Sequence, residues 1–146
     1  MQQIQEQFAE YASHHQTPGN KVCHRFGIPL IMLGLLGMLA RVELPAGLDA
    51  AIVLIAAVEV YYLILEWRLA LVMLAATAVL YFAGTAMPMW SLIAVFVLGW
   101  VLQFIGNGVY EKRSPAFFRN LVHLLIGPLW IANDLVPVVR GEKLRA

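Results

Sequence analysis

The sequence predicts an all-α integral membrane protein: a helical bundle of about four spans, with an amphipathic helix before it and a broken re-entrant or interfacial helix after it. Two observations carry this prediction. The 146-residue chain is 61% hydrophobic and only 13% charged, whereas soluble domains average roughly 45–50% apolar and about 25% charged residues. Its apolar residues also fall into long runs, as membrane-crossing helices require. The length suits a single domain, residues 1–146.

The N-terminal segment has the pattern of an amphipathic helix over residues 2–16. One helical face carries four residues at the required spacing, Ile4, Phe8, Tyr11 and His15. The following Pro18-Gly19 pair is expected to end this helix and to place His15 and His24 on either side of a turn.

Four apolar runs follow, at residues 27–42, 50–65, 69–87 and 89–105. We interpret each as a span, although the first is short against the roughly 20 residues that cross a bilayer. With four spans, most lysines and arginines beside the runs lie on one side, which the positive-inside rule makes cytoplasmic. Both termini are therefore predicted to be cytoplasmic.

Residues 117–139 are mostly apolar but contain His123, Asn133 and Asp134. A fifth span here would send the C-terminal Arg140, Lys143 and Arg145 to the opposite side. We therefore predict a re-entrant or interfacial helix that breaks near Pro128, because proline disrupts helix interiors.

Polar residues gather at the predicted cytoplasmic mouth. They come from three distant segments: His15, Asn20 and His24; then Gln103, Asn107 and Glu111; then Asn120, His123 and Asp134. The middle set is spaced i, i+4, i+8, on roughly one helical face. Two histidines and a carboxylate with open positions are the typical ligands of non-haem Fe(II). No local motif such as HExxH is present, so spacing alone leaves a metal site as one interpretation.

Structural interpretations stand beside it. His15 would cap its helix, His24 would bond a carbonyl group at the entrance of the first span, and His123 would be a hydrogen-bonded core histidine. Glu59 lies inside the second run, where a carboxylate usually faces the bundle interior. A third interpretation is a small transporter. The paired carboxylates that a proton relay requires within the membrane would here be only Glu59 and Glu66. The net charge of +1 gives no nucleic-acid signal, and nothing in the sequence specifies an oligomeric state.

Two motif blocks resemble a known family. The first is Tyr11, then His15, Asn20, His24, Gly27 and Pro29; the second runs from Trp100 through Gln103-Phe-Ile-Gly106-Asn107 to Glu111-Lys-Arg and Pro115, with Pro128 after it. Together, in this order, they are similar to the 2-hydroxy fatty acid dioxygenases. The resemblance extends from about residue 8 to residue 134.

The resemblance implies an Fe(II)-dependent dioxygenase of fatty acid alpha-oxidation, which uses O2 to shorten 2-hydroxy fatty acids by one carbon. Membrane lipids would surround it. Carried over from the family, His15 and His24 are the expected iron ligands. Asn107 stands where the family usually has histidine, so His123, or alternatively Glu111, is expected to complete the site.

The remaining site residues follow from the same implication. Asn20, Asn107 and Glu111 are expected at the catalytic centre. Substrate contacts are expected from four side chains, Lys21, Arg25, Gln103 and Arg113, of which the cationic ones suit a carboxylate. A second hypothesis is a non-catalytic membrane lipid-binding protein in which Asn107 marks a lost metal ligand.

Overall fold

The computed structural model describes residues 2–13, 18–110 and 123–137, with side chains at 4–9, 18–109 and 125–137. Its helices are α1 (Gln2–Ser13), α2 (Pro18–Leu39), α3 (Ala50–Leu65), α4 (Trp67–Thr85), α5 (Met89–Ile105) and α6 (His123–Leu135). A π-helical turn, Gly106–Tyr110, continues α5. No strand forms within the described ranges, which confirms the all-α prediction.

Within the described residues, three helices are long and apolar enough to cross a membrane: Pro18–Leu39, Trp67–Thr85 and Met89–Val109. The remaining predicted span is the second run, residues 50–65. It coincides with α3, which has only 16 residues. At 1.5 Å per residue it is about 24 Å long, less than the roughly 30 Å of a hydrocarbon core. The structure thus supports membrane association through three helices, and the count of four spans stays a prediction.

The predicted turn at Pro18-Gly19 is wrong, because α2 begins at Pro18 and runs without interruption to Leu39. Proline suits the first position of a helix, where its missing N–H group would have no partner and its fixed φ is already helical. Asn20 and His24 therefore lie on the first turns of α2 rather than on a loop. The predicted residues 14–16 of the first helix lie outside the described residues.

Helix α2 is the centre of the bundle, and it touches α5 through glycines. A Cβ atom added at Gly99 would lie 2.7 Å from the carbonyl oxygen of Gly27 and 2.6 Å from Cγ1 of Ile31. Farther along, a Cβ atom added at Gly84 of α4 would lie 2.8 Å from Cα of Gly37 on α2. Small residues of this kind let membrane helices approach until their backbones are in contact.

The turns at the two ends of the bundle are fixed by polar side chains. Asp49 caps α3, since its Oδ1 accepts a hydrogen bond from the amide of Ile52 at 2.9 Å. Between α3 and α4, the buried Glu66 accepts hydrogen bonds from the Arg68 amide at 3.2 Å and from its Nε at 2.9 Å. These bonds lower the pKa of the Glu66 carboxyl group below its ordinary value.

The largest hydrophobic cluster lies at the end of the bundle that carries α1 and α6. Ile4 and Phe8 of α1 are fully buried there, beside Leu69 of α4 and Leu129 of α6. This confirms the predicted apolar face of α1 at these two residues; the side chains of Tyr11 and His15 lie outside the described residues. By contrast, the outward-facing Phe82 and Trp90 are 68% and 74% exposed. Large apolar side chains at such positions fit contact with lipid.

The predicted break at Pro128 is also wrong, because α6 continues through this residue from His123 to Leu135. A proline in the second turn removes one hydrogen bond, to the carbonyl group of Leu124. Burial of the following residues offsets that loss, since Leu129 is fully buried and Trp130 is 8% exposed. The other residues of the predicted segment 117–139 lie outside the described residues.

Gly99→Ala is expected to destabilise the protein by about 1–3 kcal/mol, because the new methyl group would meet the backbone of α2. Thermal unfolding in detergent measures this change. Gly108→Ala is the matched control, since nothing lies within 4 Å of a Cβ atom there. Equal losses of melting temperature in both variants would contradict the close contact of α2 and α5.

Glu66→Gln keeps a hydrogen-bond acceptor but removes the charge, and is expected to cost about 1 kcal/mol at pH 7. Because folding lowers the pKa of Glu66, its charge stabilises the folded state above the ordinary carboxyl pKa. This contribution disappears as the pH falls through the lowered value. Melting temperatures of the two proteins should therefore differ at pH 7 and converge below about pH 4; a difference that persists in acid would exclude this origin.

Candidate functional site

Four buried polar side chains meet where α2 begins and α5 ends. Asn20 and His24 lie one turn apart on α2, and Gln103 and Asn107 lie one turn apart on α5 and its π-helical turn. Their exposed fractions are 0%, 3%, 8% and 2%. The prediction that these two distant segments converge is confirmed, and so is the shared face of Gln103 and Asn107.

Hydrogen bonds orient the imidazole of His24. Its Nδ1 lies 3.0 Å from the backbone carbonyl oxygen of Asn20. A carbonyl oxygen only accepts, so Nδ1 carries the proton and donates it. In the neutral ring, Nε2 then keeps its lone pair. The Nδ2 of Asn107 lies 3.4 Å from Nε2, a long hydrogen bond, and also donates to the carbonyl oxygen of Gln103 at 3.0 Å.

Gly106 brings the two segments together at this point. A Cβ atom at Gly106 would lie 2.3 Å from Oδ1 of Asn20, 3.0 Å from Cβ of Cys23 and 3.2 Å from Nδ1 of His24. A larger residue here would therefore require the side chains of Asn20 and His24 to shift.

Two amide oxygens in the cluster have no hydrogen-bond partner within the described part of the chain. They are Oε1 of Gln103 and Oδ1 of Asn107. A buried acceptor in this condition costs about 1–3 kcal/mol. Together with the lone pair of His24, these oxygens make the cluster rich in acceptors. It is therefore suited to a cation or to a ligand that donates hydrogen bonds.

Two predicted substrate-binding cations lie on the same helix as His24. Lys21 is partly buried. The guanidinium of Arg25 forms an ion pair with Asp134 of α6, in which the two side chains are 50% and 38% exposed. The predicted carboxylate-binding side chain Arg25 is thus already paired with the carboxylate of Asp134.

Several predicted site residues cannot be placed. His15, Glu111, Arg113 and Asn120 lie outside the described residues, and His123 is described only as the first residue of α6. Among the residues that are described, no three His, Cys, Asp or Glu side chains form a group able to hold a metal ion. The ligand set of His15, His24 and His123 therefore stays a prediction.

The sequence interpretation assigned no role to Gly106 and did not anticipate the π-helical turn. The signal for Gly106 was its position, next to Asn107 and one turn after Gln103, where only glycine admits another helix. Turns of the π type are often found at functional sites. No simple sequence pattern distinguishes such a turn from a continued α-helix.

The described polar residues of the two motifs thus lie together, and comparison with known protein families gives the same assignment. Residues 1–137 match the family described as Mpo1-like, 2-hydroxy-palmitic acid dioxygenase. The chain belongs to this family. The family resemblance predicted from the two motif blocks is confirmed.

A curated relative supports the assignment. The chain is 29% identical over 138 residues to the 2-hydroxy-palmitic acid dioxygenase MPO1 of Saccharomyces cerevisiae, covering 91% of this chain and 79% of the yeast protein. No solved structure matches the chain significantly. Membership of this family supports an enzymatic role and does not favour the lipid-binding alternative.

A tyrosine hydroxyl of α3 holds the last helix, α6, against the bundle. The hydroxyl of Tyr62 on α3 donates to the carbonyl oxygen of Leu125 on α6 at 2.5 Å. The neighbouring Tyr61 makes only a longer hydrogen bond, 3.3 Å, to Oε1 of Gln7 on α1. Of these two adjacent tyrosines, Tyr62 therefore makes the stronger contribution to docking.

Tyr62→Phe is expected to destabilise the docked α6 by about 0.5–1.5 kcal/mol, because the Leu125 carbonyl group loses the hydrogen bond from the tyrosine and keeps only its bond within the helix. Hydrogen exchange of the α6 amides measures this effect. Tyr61→Phe is the matched control and should change exchange in α6 much less. If the two variants accelerate exchange equally, the Tyr62 hydroxyl is not what holds the helix.

Proposed function

We propose that this protein is a membrane-embedded, Fe(II)-dependent dioxygenase that shortens 2-hydroxy fatty acids by one carbon, with O2 as co-substrate. One observation carries the proposal: in a family named for 2-hydroxy-palmitic acid dioxygenase, the motif residues His24, Gln103 and Asn107 form a buried cluster at the end of apolar helices.

The donors in the cluster fit a divalent iron. His24 donates from Nδ1 to a backbone carbonyl group, the arrangement that fixes the tautomer of metal-binding histidines and presents Nε2 to the ion. His15 and His123 are the proposed further ligands, with Glu111 as the alternative carboxylate. When bound, iron supplies the reaction with O2 that the side chains of the protein lack.

The protein's own residues bind and orient the fatty acid. We place the acyl chain among the apolar helices and the polar head at the cluster. Lys21, together with Arg25 or Arg113, would hold the carboxylate by charge-assisted hydrogen bonds. Since Arg25 is paired with Asp134, using it requires that the substrate carboxylate replace that of Asp134. Burial of the cluster excludes water from the reacting head group.

We further propose that α3 is a fourth span, which accommodates its 16 residues through local thinning of the bilayer. Both termini would then face the cytoplasm, with α1, α6 and the cluster at that membrane surface. The many cationic residues near this end support the orientation.

The test is product analysis with purified protein, Fe(II), O2 and 2-hydroxypalmitate. We expect pentadecanoate, the acid one carbon shorter. His24→Ala should lower the rate by at least about 100-fold, since even residues that only support a metal ligand contribute about 10- to 100-fold. Ser91→Ala, at the opposite end of α5, should leave the rate unchanged.

A wild-type protein that forms no shortened acid under these conditions, yet binds 2-hydroxypalmitate, would favour the non-catalytic lipid-binding alternative. Equal rates in wild type and His24→Ala would remove His24 from the catalytic centre.

A further inference from the structure

Gln103 and Asn107 each carry a buried side-chain carbonyl oxygen in the cluster. Both side chains are more than nine-tenths buried, and both oxygens have no partner within the described residues. They lie one turn apart, since Nδ2 of Asn107 bonds the backbone carbonyl group of Gln103. Such oxygens gain free energy from a hydrogen-bond donor or from a cation.

The spacing of Asn107 and His24 fits a shared cation. Nδ2 of Asn107 lies 3.4 Å from Nε2 of His24. A half-turn of the amide about its Cβ–Cγ bond would bring Oδ1 to this position without a change in side-chain volume. It would also break the hydrogen bond from Nδ2 to the carbonyl oxygen of Gln103, a loss that binding of a cation must offset. Two ligands at about 2.1 Å from one ion are separated by about 3.0 Å in octahedral and about 3.4 Å in tetrahedral geometry.

We propose that Gln103 and Asn107 supply amide-oxygen ligands beside His24, so that the described donors of the cation site are all uncharged. A neutral set of donors leaves the double positive charge of the ion uncompensated. In a buried site of low dielectric constant an uncompensated charge is costly. Without Glu111, which lies outside the described residues, as a ligand, such a site binds a divalent cation weakly by itself and tightly together with an anion.

The anion follows from the proposed function, on which this step rests: it is the carboxylate of the 2-hydroxy acid. Cation and carboxylate then bind cooperatively, and each raises the affinity for the other by the same factor. A carboxylate ligand from the protein would remove this dependence, because it would neutralise the ion before substrate arrives.

The experiment measures Co(II) affinity of the full-length, metal-free protein in detergent, from the visible absorption of bound Co(II), with protein-free micelles as blank. Adding 2-hydroxypalmitate should tighten Co(II) binding by about tenfold or more, whereas the uncharged hexadecane-1,2-diol should not. Asn107→Leu and Gln103→Leu should each weaken Co(II) binding by about tenfold.

Asn107→Asp separates a ligand from a merely structural residue. It has the same shape but carries a charge, so it should bind Co(II) more tightly than wild type and lose most of the dependence on 2-hydroxypalmitate. Ser91→Ala should behave as wild type. Circular dichroism and elution volume of each variant establish that it is folded.

Absence of Co(II) binding by wild type in the presence of 2-hydroxypalmitate, or affinities of Asn107→Leu and Gln103→Leu equal to that of wild type, would overturn the proposal. Equal effects of the acid and the diol would overturn the carboxylate coupling. If iron-loaded wild type forms pentadecanoate while these variants bind Co(II) normally, this inference fails and the proposed function stands. If the variants lose Co(II) but wild type forms no shortened acid, the function fails and the ligand assignment stands.

Discussion

Direct backbone contact between α2 and α5 is the constraint on which the site depends. Gly27 and Gly99 let the two helices touch within the membrane-length segments, and Gly106 continues the contact at the polar end. Only at this separation does the ring of His24 reach the amide of Asn107. The glycines thus affect the site without contributing a side chain to it, because they determine the distance between His24 and Asn107.

The same end of the molecule combines its best-packed apolar region with its most polar interior. Ile4 of α1 and Leu129 of α6 close the bundle with a hydrophobic cluster, while His24 and Asn107 remain buried beside it. Burial removes water from these polar groups, so their interactions are governed by the few charges and dipoles nearby. The Arg25–Asp134 pair joins the covering helix to the helix that carries His24.

The sequence correctly predicted those helices whose ends are marked by a change from apolar to polar residues. It failed where a proline is compatible both with a helix and with a break in one. The bounds 50–65 and 89–105 agree with α3 and α5, since apolar runs bounded by polar residues leave little choice. The i, i+4 spacing correctly put Gln103 and Asn107 on one face. Pro18 misled the interpretation because proline suits the first position of a helix as well as the chain beyond its end. Pro128 misled it because burial of the residues that follow offsets the hydrogen bond that proline removes. The short distance between His24 and Asn107 depends on how α2 packs against α5. The family resemblance suggested that the two motifs meet, but residue spacing along the chain does not determine how two helices pack.

The π-helical turn at Gly106–Tyr110 has a consequence for how this chain tolerates changes in length. Its wider hydrogen-bonded ring holds one residue more than an α-helical turn. Loss of a single residue there would convert the π-helical turn into an α-helical turn, and the residues after it would keep nearly the same direction around the helix axis. The same deletion within α5 would instead rotate the residues after it by about 100°. The turn that carries Asn107 is therefore the part of this helix that best accommodates a change of one residue in length.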